Sequence, residues 1–104
     1  MPATDVFAAL ANPVRRQILD LLRTGPRNAG EIAAAFELTR PTVSEHLQVL
    51  RHSGLVVETV QGRQHIYEVY APALAEVREW LEPFERYWNE RIDALDELLR
   101  RNQR

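Results

Sequence analysis

The sequence predicts a mostly α-helical fold carrying one β-hairpin, in the order four helices, two strands and a long last helix. Three observations lead to it. Apolar residues recur at threes and fours through the first half of the chain. Two runs rich in β-branched and aromatic residues, LVVETVQ and QHIYEVY, flank Gly62-Arg63. Trp80, Phe84, Trp88, Ile92, Leu95 and Leu99 then carry helical spacing to the end of the chain. With 104 residues, one small domain over 1–104 is expected and no second one.

Each element has a local reason. Thr4 can cap a short helix bearing Val6, Phe7 and Leu10. Asn12-Pro13 restarts the chain, because asparagine caps well and proline lacks only an N–H that the first helical turn leaves unused. Val14, Ile18 and Leu21/Leu22 form the apolar stripe of that second helix, and Thr24-Gly25-Pro26 ends it. Asn28 followed three residues later by Glu31 resembles a capping box, opening a third helix with Ile32 and Phe36 inward. After the tight link Glu37-Leu38, Thr39 caps a fourth helix over 40–52. Its Val43, Leu47 and Leu50 face the core, and Gly54 stops it. The hairpin turns at Gly62-Arg63. The last helix runs from Pro72 to about Arg101, with Pro83 expected to kink it or to start its second half.

Composition narrows the function. The chain is 45% hydrophobic and 27% charged, an ordinary globular balance. No apolar run approaches the roughly 18 residues of a membrane span, and no basic-then-apolar leader opens the sequence, so a cytoplasmic protein with no membrane partner is expected. The absence of cysteine excludes disulfides, thiolate metal sites and thiol nucleophiles. The net charge of −2 is unevenly spread. Residues 12–65 hold seven arginines against five acids, whereas residues 66–104 hold six against nine. Every basic residue is arginine, a guanidinium suited to bidentate contacts with phosphate and guanine, although coding bias explains missing lysines equally well.

Two short helices joined by a tight turn and followed by a hairpin make a winged helix-turn-helix, whose second helix enters the DNA major groove by its N-terminal end. The fourth helix has the residues for that task. Taking Val43 as the core direction, Pro41, Glu45, Gln48 and His52 point opposite, with Ser44 beside them. Arg40 and Thr42 occupy the exposed first turn. Arg40 can read guanine or grip phosphate, Gln48 can pair with adenine, and Glu45 can accept from a cytosine amino group. On the hairpin, Arg63, Gln64 and His65 are the candidate DNA contacts of the wing. Arg15, Arg16, Thr39 and Arg51 are candidate contacts to the DNA backbone.

The segments ALANPVRRQILDLL, EIAAAF, TRPTVSEHLQVLRHSGLV and GRQHIYEV resemble the ArsR-type (arsenic-repressor-like) winged-helix regulators over about Phe7 to Tyr70. The resemblance implies a homodimeric bacterial repressor whose first and last helices build the dimer interface. It also places Arg40, Thr42, Ser44 and Glu45 at the base-contacting end and Gly62 to His65 at the wing tip. Two departures matter. Many such regulators carry a metal-thiolate pair at the start of the third helix, where this chain has Asn28 and Gly30. Others bind metal through histidines and carboxylates on the last helix. Here that helix offers Asp93, Asp96 and Glu97 but no histidine. Neither sensing site carries over, and no metal or cofactor is expected; the sequence names no effector.

The remaining candidates read plainly. His46, His52 and His65 lack a ligand spacing, and His46 flanks the core stripe as a boundary residue. Two tryptophans on one extended helix exceed what a core this small can bury. A subunit seam of Val6, Phe7 and Leu10 with Trp80, Phe84, Trp88, Ile92, Leu95 and Leu99 is therefore expected. Residues 12–70 form the expected DNA-binding core, with 1–11 and 71–104 as dimerisation helices. The chain reads as a DNA-binding transcriptional regulator, a dimeric repressor on a pseudo-palindromic operator. A protein-interaction module working through its aromatic last helix without specific DNA binding is the alternative. An enzyme is the third reading and is not expected, given the missing cysteine, the scattered histidines, and the lack of a glycine-rich phosphate loop or of carboxylates paired in an apolar setting.

Overall fold

A computed structural model describes residues 5–103. The elements are α1 (Val6–Leu10), α2 (Pro13–Arg23), β1 (Arg27–Asn28), α3 (Ala29–Phe36), α4 (Arg40–His52), β2 (Val56–Gln61), β3 (Gln64–Val69), a 3-10 turn (Ala71–Leu74) and α5 (Ala75–Arg101). The expected cap at Thr4 lies outside the described residues. Asp5 caps α1, its carboxylate accepting from the Phe7 N–H at 2.9 Å.

Two elements depart from the expected order. Strand β1 precedes α3 and pairs antiparallel with β3, Arg27 opposite Tyr67 and Asn28 opposite Ile66, giving a sheet ordered β1-β3-β2. Two residues cannot show a period-two pattern, so this strand left no signal; it forms where the chain between α2 and α3 runs along the open edge of β3. The last helix also starts at Ala75, because Pro72 belongs to the 3-10 turn. Pro83 neither ends nor restarts α5, which continues through it. The ring removes one backbone donor, and the flanking turns hold the helix together.

Caps explain the helix boundaries. The Asn12 side chain accepts from the N–H groups of Val14 and Arg15 at 2.8 and 3.1 Å. Asn28 and Glu31 form the reciprocal capping box: the Glu31 N–H donates to the Asn28 side chain at 2.8 Å and the Asn28 N–H donates to the Glu31 carboxylate at 3.1 Å. Helix α4 ends in a Schellman motif. The Leu55 N–H reaches the Leu50 carbonyl and the Gly54 N–H the Arg51 carbonyl, both at 3.0 Å, with Gly54 at φ +82°. Gly62 takes φ +62° at the first central position of the two-residue hairpin loop, the demand of a type II′ turn. Glu37, between α3 and α4, is the one non-glycine among the described residues with positive φ, at +55°.

The chain divides into two compact units between Leu74 and Ala75. In the first, Ile18, Ile32, Val43, Leu47, Leu50 and Leu55 are sealed from solvent, with Val6, Ala9, Leu22, Ala33 and Val56 around them. Burying each large member contributes about 1.5–3 kcal/mol, and this core holds α4 and the hairpin in place. Val14, Leu21 and Phe36 are only half-buried, since they sit where the packed faces of α2 and α3 run out. Val6 departs from its expected place in a subunit seam: it is buried in the core of the first unit, whereas Phe7 and Leu10 stay half-exposed.

The second unit is α5. None of its residues is buried, and Trp80, Leu81, Phe84, Tyr87, Trp88, Ile92, Leu95, Leu98 and Leu99 are all exposed. Val77, Leu81, Phe84, Trp88, Ile92, Leu95 and Leu99 follow one another at steps of 4, 3, 4, 4, 3 and 4 residues, a strict eleven-residue repeat. That period lies near the 3.6 residues of a straight helix, so the stripe scarcely winds around the axis. The Arg91 guanidinium lies 4.9 Å over the Tyr87 ring, and Asp96–Arg100 and Glu97–Arg101 pair along the surface. No described helix is long and apolar enough to cross a membrane.

Candidate nucleic-acid interface

The first turn of α4 is built for exposure. Thr39 caps it, its hydroxyl accepting from the Thr42 N–H at 3.3 Å and donating to the Thr42 hydroxyl at 2.8 Å. Pro41 occupies the first turn without losing a bond. With Val43, Leu47 and Leu50 turned into the core, Arg40, Pro41, Ser44, Glu45, Gln48, Arg51 and His52 are left on the outer face.

Beside that face lies an open cleft of about 520 Å³, lined from α4 by Arg40, Ser44 and Arg51 and from the hairpin by Glu58, Arg63, Gln64, His65 and Tyr67. Asn28, Ala29 and Gly30 of the α3 end complete it. The cleft thus brings together the expected reading-helix residues Arg40 and Ser44 and all three expected wing residues. Pro41, Glu45 and Gln48 remain on the exposed face outside it. Thr42 is half-buried and tied to Thr39, so these two threonines build the helix start. Gly30 makes room for Arg40: a Cβ there would stand 3.4 Å from Nη1 of Arg40 and 3.3 Å from the capping oxygen of Asn28.

Three arginines and one histidine face a single acid, Glu58. Its Oε2 lies 2.9 Å from Nη1 of Arg51, and its Oε1 accepts from Nδ1 of His65. The His65 hydrogen bond, helped by the Arg51 charge, holds the Glu58 carboxyl below the usual carboxylate range against the opposing effect of its cover. Burial, reinforced by Glu58, pushes the Tyr67 hydroxyl up. Arg51 is therefore engaged within the chain, a partner its expected role at the DNA backbone did not include.

Arg15 and Arg16 depart further from that expectation. Arg15 donates to the carbonyls of Ala9 and Ala8 at 2.7 and 3.2 Å, and Arg16 to that of Leu10 at 2.7 Å. Both guanidinium groups cap the C-terminal carbonyls of α1, those of Ala9 and Leu10 by one arginine each, while the Ala8 carbonyl also accepts from the Ala11 N–H. His46 is half-buried at the edge of the core. Burial, then the Arg15 charge, lowers its pKa, with Glu45 opposing. Asn28 and Gly30, one a cap and the other a space for Arg40, offer no metal donors of the thiolate kind. Among the described residues no three of His, Cys, Asp and Glu cluster as metal ligands.

Glu58 and Tyr67 were not among the residues expected at the site. A signal existed for Glu58: in VVETVQ it breaks an apolar alternation at a position that shares its face with Val56 and Val60, where a charge needs a partner.

Comparison with known proteins fits this geometry. Residues 12–58 match the family described as "Bacterial regulatory protein, arsR family". The transcriptional repressor SdpR of Bacillus subtilis is 34% identical over 77 residues, 74% of this chain and 86% of that protein. The HTH-type transcriptional regulator Rv2034 of Mycobacterium tuberculosis is 34% identical over 93 residues, 89% of this chain and 84% of its own. Among solved structures, an ArsR-like transcriptional regulator from Rhodococcus sp. RHA1 superposes with TM-score 0.69 at 29% identity, over 89% of this chain and 88% of that one. The homodimeric winged helix-turn-helix DNA-binding domain of a possible ArsR-family regulator from Mycobacterium bovis does so with TM-score 0.65 at 34% identity, covering 78% and 75%. The chain belongs to the ArsR family of bacterial transcriptional regulators.

Proposed function

We propose that the protein is a homodimeric repressor that occludes a promoter by binding a pseudo-palindromic operator. Residues 12–70 serve as the DNA-binding core, and α5 carries the subunit seam. The observation that carries this reading is the convergence of Arg40, Ser44, Arg63, Gln64 and His65 on one cationic cleft while the opposite face of α4 is locked into the core. Each subunit sets α4 into a major groove, with Arg40, Pro41, Ser44, Glu45 and Gln48 toward base edges, and lays the wing along adjacent phosphates. Affinity comes mainly from arginine–phosphate contacts and sequence choice from the start of α4.

The apolar stripe of α5 supports the dimer. A nearly straight row of Leu81, Phe84, Trp88, Ile92, Leu95 and Leu99, with the exposed Trp80 ring 4.8 Å from that of Phe84 beside it, suits pairing with the same row of a second copy, and a relative of this fold is homodimeric. Phe7 and Leu10 of α1, half-exposed, are the further candidates for that seam.

The test is Arg40→Ala in fluorescence-anisotropy titrations on the chain's own upstream DNA, repeated across salt concentrations. If Arg40 reads guanine, binding weakens by about 1–3 kcal/mol and choice relaxes at one base pair. If it grips phosphate, affinity falls evenly for all sequences and the salt slope shrinks by about one. Unchanged affinity refutes the reading.

A further inference from the structure

We propose that Glu58 is a positioning residue that sets specificity by joining the wing to the reading helix and withholding Arg51 and His65 from indiscriminate phosphate binding. The proposal rests on the DNA-binding role of α4 and the wing given above, and concerns a residue that role does not require.

An acid in a cleft meant for DNA works against phosphate, so its presence needs a reason. Stability is a weak one, because an ion pair whose arginine side chain is 47% exposed adds little. The geometry gives a better one. Glu58 on β2 sits opposite Tyr67 and diagonal to His65 on β3, all on the same hairpin face. Its side chain is mostly covered, at 16% exposure, and both carboxylate oxygens are used, one on each of two different elements. Arg51 lies in the last turn of α4, so a single carboxylate bridges the end of the reading helix to the strand leading from the wing tip. Among the described residues Arg40 and Arg63 make no ion pair. Two arginines of the cleft thus remain available for DNA, and the third is held back.

Removing the charge has opposite effects on two kinds of binding. Glu58→Gln keeps the shape of the side chain but releases Arg51 and His65. Freed, Arg51 can neutralise one more phosphate on any sequence, which steepens the salt dependence by about one unit of slope. The wing, no longer held to α4, loses its fixed register on the operator.

The experiment compares the unmodified chain, Glu58→Gln, Arg51→Gln and the double variant on operator and scrambled duplexes at several salt concentrations, with thermal melting as a control for folding. Glu58→Gln should bind scrambled DNA several-fold more tightly with the steeper slope, and its operator-to-scrambled ratio should fall several-fold. The gain on scrambled DNA should vanish in the double variant. An unchanged ratio and slope overturns the proposal, as does a gain that survives without Arg51. If the unmodified chain shows no preference for its upstream DNA, the proposed function fails instead. Amide exchange on the free protein then tests the bridge alone: Glu58→Gln should speed exchange in β2 and β3, and unchanged exchange there overturns it.

Discussion

Trp88→Glu tests the proposed subunit seam where it is most exposed. At 67%, Trp88 is the most accessible large apolar side chain described. An aromatic side chain offers about 150–250 Å², so roughly 100–170 Å² of Trp88 is open to a partner. At about 25 cal/mol/Å² that area is worth about 2.5–4 kcal/mol. In a two-fold interface the substitution enters twice, for about 5–8 kcal/mol per dimer. Association recovers only part of such an area term, but even half of it raises the dimer Kd by about two to three decades. Burying a carboxylate adds to the loss. Sedimentation equilibrium across a wide concentration range measures the shift, with Arg86→Glu on the opposite face of α5 as the matched control. Trp88→Glu should sediment as a monomer and lose cooperative operator binding, whereas Arg86→Glu should stay dimeric. A Trp88→Glu protein with an unchanged Kd, or an unmodified chain that is monomeric at micromolar concentration, rules out the α5 seam.

Backbone strain gives one further outcome and titration two. Glu37 holds a left-handed conformation that costs an ordinary side chain about 1–2 kcal/mol. Glu37→Gly relieves this, less the added freedom of glycine in the unfolded chain, and should stabilise the fold by about 0.5–1 kcal/mol. Thermal melting checks it, and an equal or lower Tm contradicts it. His46 has a folded pKa below its ordinary 6.5, so the unfolded chain binds its proton first as pH falls. Stability is therefore full above about 6.5 and declines as pH drops toward the folded value, and His46→Leu should flatten that slope in urea titrations. A slope that persists in His46→Leu assigns it elsewhere. Glu58, whose folded pKa is also depressed, contributes stability above the ordinary carboxylate range. That contribution disappears as pH falls through its folded value, in a separate and more acid window.

What was legible in the sequence was what periodicity and capping encode. Helix α4 has the expected bounds because Thr39, Pro41 and Gly54 mark its ends and Val43, Leu47 and Leu50 mark its inner face. The Asn28–Glu31 box was equally readable, since both partners lie within one turn. Long-range pairing was not. Strand β1 exists only because residues 27–28 meet β3 some forty positions later, and no local signal announces that. Arg15, Arg16 and Arg51 looked like solvent-facing cations, yet each is claimed by a partner that only the fold brings near. The candidate site divides the same way. Arg40 and Ser44 follow from helical geometry, whereas Glu58 and Tyr67 join them only when the hairpin folds back beside α4.

In the proposed function, two copies of α4 and its wing read one operator. Hydroxyl-radical footprinting of the unmodified protein on the DNA upstream of its own coding region would show both copies at once. Two equally protected windows related by a pseudo-two-fold axis are expected, their centres about 34–36 Å apart or a multiple of that. Both should appear at the same protein concentration. A single isolated window, or no protection at concentrations where the protein is dimeric, would contradict it.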